Sequence, residues 1–384
     1  MKRIYLFFLF SILCIQCCSG QELPDYSLED VPIVINIDSV RRIRPELSNF
    51  SNVRYLPLET DSNCLIGHIG KMLVRDGRIY VADFHKTNSL FVFDMNGRFL
   101  FKIARMGNGP GEYLGFEDFD IQSNGDIYMF DHFGRKFLVF DSEGKYLRYI
   151  HADFIVSYFC LANDKMYWSK IRDPGDARRI ADLAVYDMTN ENIEFLLKDK
   201  KFLMNNFYFG YVSYAFFSSP SGVTYYSPRF SEIIYAIDEK GVRPAIGIRN
   251  LRKPPEHVIR EWEEDGRNLK LRSMDEDKLY FKENTHIYET DKHIVFRCIN
   301  GSSIPYNYLI YDKQSGTCSS VSAIFFTLHL GINGPVGIAG KDFFDIMYPN
   351  PAGREHRQLL ESREELKNWK EDDNPVIVFF NLDI

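Results

Sequence analysis

Three sets of residues in this sequence have types and spacings that could do chemistry. Gly107, Gly109 and Gly111, in the run Gly107-Asn-Gly-Pro-Gly-Glu-Tyr113, invite comparison with a phosphate loop, because a glycine backbone lets phosphate oxygens come close. The details argue against it. A Walker loop needs Gly-Lys-Ser/Thr, and a dinucleotide fingerprint needs a third glycine where Glu112 stands. Glycine for positive φ and Pro110 for a fixed φ predict a turn instead. Asp83 and Asp131 close equivalent runs, and Asp94, Asp141, Asp187, Asp238 and Asp312 close others. Repeated carboxylates could ring an ion, but Asp at the end of a run also caps a turn by accepting backbone N–H groups, and capping is the stronger expectation. Glu112, Asp118 and Asp120 could supply an acid/base pair, although closeness in sequence does not set the carboxylate separation such chemistry needs. The nine histidines are scattered, without His-Glu-x-x-His or a close pair, and neither Cys-x-x-Cys beyond residue 18 nor Gly-x-Ser-x-Gly occurs. Catalytic residues are therefore unassigned, and no cofactor or metal site is expected.

The elements that would position these residues are legible as a repeat. Gly77-Arg-Ile-Tyr-Val-Ala-Asp83, Leu90-Phe-Val-Phe-Asp94 and Gly97-Arg-Phe-Leu-Phe-Lys-Ile103 recur as Gly125-Asp-Ile-Tyr-Met-Phe-Asp131, Phe137-Leu-Val-Phe-Asp141 and Gly144-Lys-Tyr-Leu-Arg-Tyr-Ile150, 47 to 48 residues later. The turn residues Asp94-Met-Asn-Gly97 and Asp141-Ser-Glu-Gly144 join the last two runs of each copy as hairpins. With Ile66 to Val74, or Phe116 to Gln122, as a first run, each unit has four antiparallel strands, and a period in the forties with four strands predicts a propeller. Weaker copies follow at Lys165-Met-Tyr-Trp168 with Leu183 to Asp187, at Gly222 to Tyr226 with Ile233 to Asp238, and at His293 to Phe296 with Tyr308 to Asp312. A sixth unit can be built from Gly331 to Phe344 and Asn374-Pro-Val-Ile-Val-Phe-Phe380, completed by Val31 to Asn36 or Val53 to Pro57. The expected fold is all-β: a six-bladed β-propeller of four-stranded antiparallel blades over residues 31–384, closed by strands from both termini so that no edge stays open. Pro254 to Asp265 and Arg354 to Glu371 read as two short helical insertions, with Val258, Ile259 and Trp262 or Leu359, Leu366 and Trp369 on one face.

The Gly107 to Tyr113 run, the Gly-x-Ile-Tyr-x-x-Asp runs and the terminal Asn374-Pro-Val-Ile-Val stretch together resemble the six-bladed β-propellers of the bacterial cell envelope, relatives of the NHL-repeat propellers. The resemblance is concentrated in residues 65 to 152. It implies a propeller in the envelope, often as a lipoprotein, and implies no catalytic residue.

The first residues have a separate character. Lys2 and Arg3 precede an uncharged run from Ile4 to Ile15, too short to span a bilayer but suited to an export signal over residues 1–17. Gln16-Cys-Cys-Ser-Gly20 resembles a bacterial lipoprotein signal, with Cys18, after small Cys17, as the expected lipidation site. Cys17 and ordinary cleavage after Gly20 are the alternatives. Residues 18–30 would then be a tether, and the address an exported protein anchored by lipid alone, at the outer membrane on its periplasmic or surface side.

Loss of Lys2 and Arg3 takes the net charge from −7 to −9, and no basic cluster stands out, so nucleic acid is not an expected partner. Hydrophobic residues at 45% and charged ones at 26% exclude disorder, and 32 Phe with 23 Tyr favour strands over helices. Cys64, Cys160, Cys298 and Cys318 are too few for a disulfide framework; Cys298 and Cys318 fall in neighbouring expected strands, either as a pair or, preferred, as two separate buried thiols. The functional expectation is a binding or scaffolding module for a glycan or an envelope protein. Related propellers include calcium-dependent lactonases and lyases, so a propeller hydrolase or lyase, metal-dependent or not, is the alternative.

Overall fold

The computed structural model describes residues 25–172, 180–198, 215–228, 231–253, 255, 257, 281–300, 307–349 and 363–384. Three strands come first: β1 (Ile33–Asn36), β2 (Arg41–Ile43) and β3 (Phe50–Pro57). Blade 1 is then β4 (Lys71–Arg75), β5 (Arg78–Asp83), β6 (Ser89–Asp94) and β7 (Phe99–Ile103), and blade 2 is β8 (Phe116–Ile121), β9 (Ile127–Asp131), β10 (Lys136–Phe140) and β11 (Tyr146–His151). Blade 3 is β12 (Tyr158–Ala162), β13 (Lys165–Arg172), β14 (Ile180–Asp187) and β15 (Asn192–Lys198). Blade 4 is β16 (Phe216–Ser218), β17 (Thr224–Tyr226), β18 (Ile233–Asp238) and β19 (Gly241–Arg249), and blade 5 is β20 (Phe281–Glu289), β21 (His293–Asn300), β22 (Asn307–Asp312) and β23 (Cys318–Ser322). Blade 6 joins β24 (Gly337–Ala339), β25 (Asp342–Met347) and β26 (Val376–Leu382) to β3. Each blade's first strand touches the first strand of the next, and β24 touches β4, so six four-stranded antiparallel blades close into a ring.

The central strands carry apolar residues on both faces because each blade is packed between two others. In β5, Ile79 and Val81 join Phe91 and Phe93 against Leu56 and Phe379 of blade 6, while Tyr80 and Ala82 join Val92 against Phe119, Met129 and Leu138 of blade 2. Side chains alternate between faces with period two, so one strand feeds two seams. At about 1.5 to 3 kcal/mol for each fully buried large side chain, the seams dominate the stability of the ring.

Polar ties supplement them. Asp118 and Asp120, alternate residues of the inner strand β8, accept the Phe159 and Leu161 N–H groups of β12 at 3.0 and 2.7 Å. Asp118 also meets the Lys71 ammonium of β4 at 2.6 Å, so one buried carboxylate links the inner strands of three blades.

Ring closure follows the sequence expectation, and of the two N-terminal candidates it is Val53 to Pro57, within β3, that pairs with β26. Val31 to Asn36 has a different place: β1 adds as a parallel fifth strand to β19, and β2 does the same on β23. The N-terminal segment thus covers the outer edges of blades 4 and 5. Its docking is established by Tyr26, whose ring lies 6.3 Å from Tyr235, and by Leu28, which packs on Gly247.

A helix not expected from the sequence, α1 (Ala323–Leu330), precedes blade 6. Its run Ala-Ile-Phe-Phe-Thr-Leu-His-Leu has strand-like composition, but Gly331 at φ 72° ends a helical turn, and Phe326 fills the space between Phe50, Tyr308 and Phe380. Pro254 to Asp265 falls almost wholly outside the described residues, as does the first half of Arg354 to Glu371; the described end of the latter holds one 3-10 turn, Glu364–Leu366. Cys298 and Cys318 are free thiols in β21 and β23, and they are not in neighbouring strands because β22 lies between.

Candidate functional site

The two rims of the ring are unlike. On one, first-to-second and third-to-fourth strand connections are hairpins of two to five residues. On the other, second-to-third strand connections and the links between blades run to 12 residues at 104–115, 28 at 348–375 and 31 at 250–280. Long connections on a rigid scaffold are where binding residues gather, so the candidate site is sought there.

The repeated aspartates cap turns. On the hairpin rim, Asp94 Oδ1 accepts the Asn96 and Arg98 N–H groups, Asp141 Oδ1 those of Glu143 and Lys145, and Asp187, Asp238 and Asp312 accept from Thr189, Lys240 and Ser315. On the loop-rich rim, Asp131 accepts from Leu114 and Gly134. Asp83 does more. It is fully buried, and its two oxygens accept the N–H groups of Gly67, His68, His85, Lys86 and Thr87 at 2.9 to 3.2 Å, plus the Thr87 hydroxyl. Burial raises its pKa, but these donors outweigh burial and hold the carboxyl below its usual range.

The glycine loop is the interblade turn its composition predicts. Glu112 Oε2 accepts the Gly109 N–H at 2.7 Å, and the Tyr113 hydroxyl crosses to the Asn88 carbonyl at 2.6 Å. Gly111 sits at φ 76° with Tyr146 where a Cβ would fall. Glu112 is occupied within its own loop, and Asp118 and Asp120 side by side in bonds to β12, so all three carboxylates serve structural bonds. Cys18 lies outside the described residues.

What the structure does bring together is a cleft of about 300 Å³ at the seam of blades 6 and 1, on the loop-rich rim. One wall is the link into blade 1, with Leu65, Ile66 and His68; Thr87 comes from the next loop. Asp83 sets this wall, since it fixes the backbones of His68, His85 and Thr87 at once and leaves the two imidazoles 5.7 Å apart. The facing wall is the connection before β26, with Tyr348 and Pro349 at its start and Glu371, Asp372 and Asp373 at its end. Burial of its hydroxyl, with the Asp345 charge nearby, pushes the Tyr348 phenol up to about 12, so it stays a neutral donor at ordinary pH. Below the cleft, buried Asn374 clasps the two walls: its amide accepts the Ile66 N–H at 2.8 Å and donates to the Glu59 and Cys64 carbonyls at 2.7 and 2.8 Å.

Sequence reading missed these residues because they are spread from Leu65 to Asp373, and no local spacing could join them. The one available signal was the Asn374-Pro-Val-Ile-Val stretch, whose first residue proves to be the clasp.

Among the described residues, no group of three or more His, Cys, Asp or Glu is placed to hold a metal ion, and no helix is long and apolar enough to cross a membrane. A Bacteroides fragilis protein described as exported shares the fold with a TM-score of 0.71 at 16% identity, over 91% of this chain and 99% of that one. A member of the DUF4221 family from Bacteroides vulgatus superposes with a TM-score of 0.47 at 9% identity, over 86% and 97%. Virginiamycin B lyase from Staphylococcus aureus gives 0.43 at 11% identity, over 76% and 81%. No curated protein matches the sequence. The model of the domain of unknown function DUF4934 matches residues 32–381, the whole ring from β1 to β26, and the chain belongs to that family.

Proposed function

We propose that this propeller is a binding module of the cell envelope, held to a membrane by lipid at Cys18 and engaging a glycan or a protein partner at its loop-rich rim. The observation that carries the reading is the cleft between blades 6 and 1, which is open, built from side chains of both walls and underpinned by buried Asp83 and Asn374. A pre-formed concave site with a few placed polar groups on a rigid frame suits recognition. The export signal at residues 1–17 supports the envelope address, and so does the description of the Bacteroides fragilis protein as exported.

The test has two arms. Labelling with a tagged fatty acid should be lost in Cys18→Ala, whereas unlabelled parent protein would end the anchor. Purified protein incubated with a panel of envelope and dietary glycans, envelope proteins, esters and lactones should be stabilised by a binder without releasing product. Product formation at a useful rate would replace the binding reading with a hydrolase or lyase.

A further inference from the structure

We infer that the cleft between blades 6 and 1 takes a basic side chain, lysine or arginine, from a protein partner lying across the rim of blades 6, 1 and 2. This rests on the binding reading above and names its partner.

The charge of the cleft comes first. Among the described residues, the eleven that line it include Glu371, Asp372 and Asp373 and no Lys or Arg. Asp373 is committed to its own turn, accepting the Lys370 N–H at 2.7 Å, and Glu371 and Asp372 stand exposed beside it. An anionic ligand is repelled from such a mouth, and a cation is drawn to it. The remaining surface suits a cation on an apolar stem. Tyr348, 43% exposed, offers a ring face to an ammonium or guanidinium group, and Leu65, Pro349 and Pro375 line the path an aliphatic stem would take.

The surroundings favour a protein over an amino sugar, which could supply the same ammonium group. Leu65, Met106, Leu114 and Phe133, on the links and loops of blades 1 and 2, are 51%, 57%, 42% and 68% exposed. They adjoin the cleft: Thr87 lines it, the next residue Asn88 lies 3.5 Å from where a Gly115 Cβ would fall, and the Phe133 ring covers the same point at 3.2 Å. Met106 bridges to Tyr113 in the same link. A pocket for one charged anchor beside exposed apolar residues matches the anatomy of a protein interface, whereas a single sugar amine has no use for the apolar arc.

The probe is N-acetyl-tetralysine amide, titrated calorimetrically into the full mature protein, with tetraglutamate and a glucosamine tetramer alongside. Tetralysine should bind and tetraglutamate should not. Binding should weaken at least tenfold in Glu371→Gln/Asp372→Asn and in Tyr348→Ala, each with an unchanged melting curve. It should hold in Asp164→Asn/Glu239→Gln, which removes the same charge from the hairpin rim. Equal weakening in that control, or none in the cleft variants, overturns the inference, and so does a glucosamine tetramer that binds where tetralysine does not. A glycan that binds equally to parent and cleft variants sinks the cleft assignment and leaves the binding reading standing. Failure of every probe and of the earlier panel sinks both.

Discussion

At the scale of single residues, the carboxylates divide by what surrounds them. Asp83 accepts five N–H groups and is held ionised, whereas Asp345, also buried, is pushed up to about 7 because burial outweighs its bonds from Asn333, Gly334 and Ile346. The two have opposite linkage. Asp345 has a folded pKa above its unfolded value of about 3.9, so its contribution is full below that value and lost as pH rises toward 7. Asp345→Asn, a near-isostere whose amide oxygen can still accept, should therefore gain on the parent by about 2 to 4 kcal/mol between pH 4 and pH 8, read from urea unfolding. A pH-independent difference would show that Asp345 is ionised throughout. For Asp83 the stabilisation is present above the unfolded pKa and lost as acid protonates the folded carboxylate. The capping role of these aspartates was legible in the sequence because it is local, written in Asp followed by turn residues. The tie from Asp118 to blade 3 was not, because a bond spanning 41 residues leaves no local trace.

At the scale of elements, the strands were legible wherever β-branched and aromatic runs alternate with Asp and Gly, as in β5, β6, β9 and β10. Two placements were not. Helix α1 was hidden because its sequence has strand composition and tertiary contacts of Phe326 decide its form. The parallel position of β1 was hidden because a parallel partner 213 residues away has no turn to announce it. The connection before β26 shows how an element is fixed by one polar side chain. Asn374→Ala would strand the Ile66 N–H and the Cys64 carbonyl in a buried place, while the Glu59 carbonyl keeps the Cys64 thiol as a donor. Each unsatisfied group costs about 1 to 3 kcal/mol, so a loss of about 2 to 6 kcal/mol is expected from the two. Because the clasp joins both walls, the variant should also weaken any ligand of the cleft. A melting temperature within a degree of the parent would show that solvent replaces these bonds.

At the scale of the whole molecule, the ring is closed at one place, where a C-terminal strand lies between β25 and the N-terminal β3. The sequence announced that closure through two strand-like termini, but it could not announce the cleft, which exists only because closure sets 65–68 against 348 and 371–375. Strand β26 serves two seams: Ile377 and Phe379 pack toward blade 1, and Val376, Val378 and Phe380 pack toward blade 5. With Leu382, these six side chains are at most 3% exposed. At about 1.5 to 3 kcal/mol each, their removal forfeits roughly 9 to 18 kcal/mol as an upper estimate, against a usual total of about 5 to 15. Deleting residues 375 to 384 should therefore abolish the cooperative melting transition and expose the edges of β25 and β3 to aggregation. Deleting residues 1 to 36 is the contrast, since it removes Tyr26, Leu28, buried Val31 and β1, which has one buried side chain among its four residues, and bares only the outer edge of blade 4. That variant should keep a cooperative transition lowered by a few degrees. If the C-terminal deletion melts like the parent, the ring is not held by its last strand; if the N-terminal deletion fails to fold, the outer belt is part of the closure.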